Sequence, residues 1–145
     1  MDTTDTRLLV YELVGGEDTF RRLVHAFYGR VYADPRLRPL FPDDRMGAED
    51  RLTLFLMQYF GGPTTYSQQR GHPRLRMRHF PFAIGQAERD AWLGHMLAAL
   101  DEVGVTEPAL SAMRDYFEYA ATFMINQSGV GSRESVRHTR GQPLA

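Results

Sequence analysis

The stretch RGHPRLRMRHFPF, Arg70 to Phe82, holds the residue types best suited to chemistry. Within its short expected helix, Leu75 and His79 stand four apart and share a face. Phe80 and Phe82 flank the end of that turn, immediately around Pro81. An imidazole in an apolar wall is costly unless it is hydrogen-bonded or bonded to a metal. Neutral imidazole is a strong axial ligand for haem iron, whose macrocycle needs an apolar slot with cations near its rim. The same spacing also fits a structural histidine with an ordinary partner, and spacing alone does not separate the two.

The other histidines offer less. His72 precedes Pro73, which favours extended backbone and a place outside the helix. His25 and His95 read as surface or packing residues, and His138 lies near the C-terminus. No HxxxH or HExxH spacing occurs, so a dedicated zinc site has little support. Two polar aromatics, Tyr28 and Trp92, fall on inward helical stripes. Each can bury a ring while keeping a donor, O–H or indole N–H. As plain core aromatics they would need no further explanation.

Composition narrows the classes. The 145 residues are 43% hydrophobic and 24% charged, which suits one soluble domain. The net charge of −1 argues against nucleic acid as a partner. All 17 basic residues are arginine, which reads as coding bias. With no cysteine, disulfides, thiol catalysis, iron–sulfur clusters and covalent c-type haem are excluded. No apolar run is long enough to span a bilayer, and the N-terminus lacks a secretory pattern. A cytoplasmic protein without a membrane role is therefore expected.

The elements that must position these residues are helical by period. A short helix is expected from Leu8 to Val14, stopped by Gly15-Gly16. A second runs from near Glu17 to Tyr32, with Phe20, Leu23, Val24, Phe27, Tyr28 and Val31 on one stripe. Asp34-Pro35 ends it. Three prolines make Pro35 to Asp44 a turn-rich connector. The next helix, GAEDRLTLFLMQYF, buries Ala48, Leu52, Phe55, Leu56 and Tyr59. Gly61-Gly62-Pro63 ends it, and a polar loop is expected as far as Gly71. After the short helix from Pro73, one helix spans about Gln86 to Val103, with Trp92, Met96, Leu97 and Leu100 inward. A last helix spans about Glu107 to Asn126, with Leu110, Met113, Phe117, Ala120, Ala121 and Met124 inward. No segment alternates like a strand, so the fold class is all-α. Residues 1–6 are expected to form a flexible N-terminus, 7–127 the domain, and 128–145 a disordered tail.

The sequence resembles the truncated haemoglobins, specifically their second group. GGEDTFRRLVHAFYGRVYADPRL is similar to the family's opening Gly-Gly and distal-tyrosine helix. FLMQYFGGPTTYSQQRGHPRLRMRHFPF is similar to the stretch leading to the proximal histidine, and ERDAWLGHM to the segment with the distal tryptophan. The likeness covers about Tyr11 to Asn126. It implies a two-over-two helical sandwich around non-covalent haem b. It places His79 as the iron ligand and Tyr28 and Trp92 as distal donors. Ala48 falls where many globins carry a distal histidine, and Leu52 would press on the distal face. Phe41 stands where many relatives have Tyr, which removes one hydroxyl. Phe55, Leu75, Met77, Phe82 and Met96 are implied as apolar slot residues. Tyr66 is implied at the rim, with Arg78 or Arg76 beside a propionate.

The resemblance implies reversible binding of oxygen, carbon monoxide or nitric oxide, for transport, scavenging or sensing. The alternative is an enzyme, a nitric oxide dioxygenase or peroxidase, with Tyr28 and Trp92 catalytic. Turnover would then require a separate reductase, since the chain has no flavin- or nicotinamide-binding motif. A haem-free helical interaction module is the third reading. Association into a homo-oligomer is left open.

Overall fold

A computed structural model describes residues 6–72 and 84–125. The expected short helix from Pro73, with Leu75, Arg76, Met77, Arg78, His79 and Phe82, lies outside the described residues, as does the tail. Thr6 already belongs to a 3-10 turn, Thr6–Leu9, which runs into α1, Val10–Leu13. The expected first helix is therefore split. Only Val10 is buried there; Leu8, Leu9 and Leu13 face outward.

Helix α2 spans Glu17–Tyr32. Glu17 and Asp18 in its first turn complement the helix dipole. Its expected stripe is buried throughout, from Phe20 to Val31. Burying six such side chains supplies the main apolar term holding this helix in place. The following connector contains one 3-10 turn, Arg38–Leu40.

Helix α3 spans Arg45–Tyr59, two residues earlier than the apolar pattern starts. The Asp44 carboxylate sets that start by accepting from the Gly47 N–H at 3.0 Å. Ala48, Phe55 and Leu56 are buried as expected, whereas Leu52 and Tyr59 are half-buried. Thr53 and Met57 are buried instead. The helix is covered on more than one side, so one apolar stripe does not describe it.

The stretch expected to be a loop contains a helix, α4, Thr65–Arg70. Its cause is not local propensity. The Gln58 side chain, from α3, accepts from the Ser67 N–H at 2.9 Å and donates to its hydroxyl at 2.7 Å. Tyr66 is the buried anchor, edge-on to Phe55.

Helix α5, Gln86–Val103, begins where Glu88 accepts from the Gly85 N–H at 2.9 Å. It ends at Gly104, in the left-handed conformation that glycine tolerates. Helix α6, Ala109–Phe123, starts two residues later than expected because Glu107 is spent on capping Ser111.

Helix α2 packs against both α3 and α5, and α5 packs against α6. Two pairs, α2–α3 and α5–α6, thus lie across one another as a two-over-two sandwich. Strands are absent among the described residues.

Candidate functional site

A cleft of about 1260 Å³, open solvent included, lies between the two helix pairs. Phe27 and Tyr28 of α2 form one wall, continued by Leu37, Leu40, Phe41 and Pro42 of the connector. Helix α3 contributes Ala48, Arg51, Leu52, Phe55 and Leu56, and α4 contributes Tyr66. Trp92, Glu88 and Arg89 of α5 face them, with Tyr116, Phe117, Ala120 and Ala121 of α6. Ile84 and Met124 complete the lining.

Tyr28 is only 5% exposed. Its ring meets Tyr32 and Phe41 edge-on, at 5.7 and 5.6 Å between centroids. Trp92 is fixed by edge contacts to Phe27 at 5.2 Å and Phe117 at 6.0 Å. Neither the Tyr28 hydroxyl nor the Trp92 indole N–H has a hydrogen-bond partner among the described residues. Two side chains with donors unpaired among the described residues thus line a mostly apolar cleft, whose charged members are Arg51, Glu88 and Arg89. Burial pushes the Tyr28 phenol well above its usual value, and the nearby Tyr32 adds to the shift. The hydroxyl therefore keeps its proton, and its capacity to donate, across the neutral range.

The connector is tied down separately. The Tyr32 hydroxyl donates to the Pro42 carbonyl, and Arg38 donates to the Phe41 carbonyl at 3.0 Å. These bonds hold the Phe41 ring against Tyr28. With Phe at this position, the wall beside Tyr28 is hydrocarbon.

Of the site residues expected from sequence, Tyr28, Trp92, Phe41, Ala48, Leu52, Phe55 and Tyr66 meet on this cleft. Met96 does not; it is fully buried in the core and lines no part of it. His79, Leu75, Met77, Arg78 and Phe82 lie outside the described residues.

Sequence reasoning missed Arg51 and Arg89. Arg51 sits one turn after Ala48, and Arg89 one turn before Trp92, so i,i+3 spacing from those residues was the available signal. Arg89 is engaged with Asp90 at 2.9 Å and Thr122 at 3.2 Å. His95 was also underread. Its Nε2 lies 2.8 Å from the Asp34 carboxylate, which also accepts from the Arg36 guanidinium at 3.0 Å. Arg36 and His95 together hold the Asp34 carboxyl well below the usual carboxylate range. His25, by contrast, is exposed and faces Glu49 at 3.2 Å.

The cleft, its paired donors and the sandwich around it can now be set beside known proteins. The profile of the bacterial-like globin family matches residues 9–126. A haemoglobin from the thermophilic phototroph Chloroflexus aurantiacus is 65% identical, with a TM-score of 0.80 over 81% of this chain and 98% of that one. The chain belongs to the truncated haemoglobins, in their second group.

The group II truncated haemoglobin of Bacillus anthracis is 38% identical, with a TM-score of 0.79 over 83% of this chain and 98% of that one. A truncated oxygen-avid haemoglobin from Bacillus subtilis is 40% identical, with a TM-score of 0.77 over 81% and 98%. Membership makes this chain a haem-binding globin of a gas-binding family. No helix among the described residues is long and apolar enough to cross a membrane.

Proposed function

We propose that the cleft takes haem b and presents a diatomic gas, oxygen foremost, to the Tyr28 hydroxyl and the Trp92 indole. The observation that carries this reading is that Tyr28 and Trp92, neither of them hydrogen-bonded through its side chain among the described residues, line one mostly apolar cleft. The lining fits the group. Its walls are aliphatic and aromatic, as a flat macrocycle requires, while Arg51 and Arg89 stand where carboxylates could be met. That a similar protein from Bacillus subtilis is oxygen-avid supports oxygen as the ligand. His79 would hold the iron. When bound, haem would supply an iron with one open coordination position.

The rest is done by the chain. Tyr28 and Trp92 each donate to a ligand that carries partial negative charge. Tyr28 does so from a position only 5% exposed, where a hydrogen bond is stronger than in water. Phe41, Leu52 and Phe55 give the same space apolar walls. Each donor contributes on the order of 1–3 kcal/mol, or roughly 5- to 150-fold in retention of the ligand.

Oxygen release from Tyr28→Phe and Trp92→Leu, followed by stopped flow, tests the assignment. Both variants should release oxygen faster, and the double variant fastest. Release rates equal to the parent protein in both would sink the donor roles.

A further inference from the structure

We propose that the Asp34–His95 hydrogen bond is the positioning contact that fixes Trp92 opposite Tyr28. This rests on the reading of the cleft given above and deepens it. His95 lies on α5, three residues after Trp92, so the two side chains share a helical face. Asp34 lies just beyond α2, and its backbone carbonyl accepts from the N–H groups of Leu37 and Arg38. It therefore starts the turn that carries Leu37, Leu40 and Phe41 into the cleft wall. One hydrogen bond of 2.8 Å thus joins the helix bearing Trp92 to the segment that follows Tyr28 and leads to Phe41.

The bond is placed to matter. The Asp34 side chain is 8% exposed and that of His95 25%, so water competes weakly for either. The Arg36 guanidinium donates to both carboxylate oxygens and so fixes the carboxylate, whose Oδ2 it shares with His95. The other polar link between α2 and α5 among the described residues, Arg30 to Glu102, is far more exposed. Exposed pairs of that kind contribute little. Among the described residues Trp92 has ring-edge contacts to Phe27 and Phe117 and no hydrogen bond. Apolar packing brings α5 against α2, and His95 adds the most buried polar contact from α5 to the segment that follows α2.

The test uses the full-length, haem-loaded protein with carbon monoxide as the probe. Trp92 is the only tryptophan, so ultraviolet resonance Raman bands of indole report it without ambiguity. His95→Leu removes the donor, and His95→Asn is polar but too short to reach Asp34. Both should shift the indole N–H band and broaden the infrared stretch of bound carbon monoxide. Oxygen release should quicken by roughly 3- to 10-fold. His95→Gln, whose amide can still donate to Asp34, should restore all three. Unchanged bands in the folded Leu and Asn variants would overturn the proposal, as would failure of Gln to restore them. Collapse of both breaking variants would assign a merely structural role and overturn it equally. If the parent protein takes up no haem, the reading of the cleft fails, while the indole bands of the same variants still decide the role of His95.

Discussion

The two ends of the sandwich use the same kinds of side chain to opposite effect. At one end Tyr11, Phe20 and Phe60 stack in sequence, at 5.9 and 6.1 Å between centroids. Phe60 continues onto Phe117 at 6.2 Å. At the other end Tyr28, Phe41 and Trp92 stand around an open cleft. The difference lies in how closely backbone can approach. At the filled end a Cβ on Gly61 would sit 2.0 Å from the Leu8 carbonyl oxygen, and one on Gly62 would sit 2.6 Å from Tyr11. Glycine lets the N-terminal segment close that space. At the open end the proline-rich connector is held by Tyr32 and Arg38, and the donors of Tyr28 and Trp92 find no acceptors among the described residues. Aromatic content alone makes a core; a site appears where packing stops and polar capacity is left over.

The largest effect should come from the filled end. Phe60→Ala, at a fully buried position, should lower unfolding free energy by about 3–5 kcal/mol in chemical denaturation. A cost below about 1 kcal/mol would show that this end is not the close-packed one. Gly61→Ala should cost on the order of 1–3 kcal/mol, since it adds a backbone clash to a positive φ of 97°. Thermal unfolding reads this directly. At the open end Tyr28→Phe should leave stability within about 1 kcal/mol, because the hydroxyl has no partner to lose among the described residues. A larger loss would mean that the hydroxyl belongs to the core after all.

Protons sharpen the contrast. The folded value of Asp34 lies below its unfolded value, which is near 3.9. Its stabilising contribution is therefore complete above about pH 4 and is lost as pH falls through the folded value. The stability gap between the parent protein and Asp34→Asn should be widest near neutrality and close in strong acid. Burial raises Tyr28 and Tyr116 in the fold, giving the opposite sign. Their contribution is complete below about pH 10 and falls as pH rises further. Tyr28→Phe should flatten part of that alkaline loss in a denaturation series. An unchanged alkaline slope would place the Tyr28 phenol in water.

Much of this was legible in the residues. The α2 stripe from Phe20 to Val31 needs only the helical period, and it sets both the fold class and the side of the helix on which Tyr28 sits. Trp92 follows from the same logic on α5. The helix over Thr65–Arg70 could not be read, because its first turn is held by Gln58 of another helix. His95 and Asp34 are 61 residues apart and meet only once α2 and α5 cross. Met96 shares an inward face with Trp92, yet the crossing of α5 over α2 turns it into the core rather than the cleft. Period identifies which face is buried; what lies against that face is decided by the crossing.

The most direct test is the visible absorption spectrum of the reduced, purified protein with and without oxygen, beside that of His79→Gly. The account predicts an intense Soret band that shifts on adding oxygen in the parent protein and is lost or displaced in the variant. A colourless parent protein that takes up no haem, or a variant spectrum identical to the parent's, would contradict it.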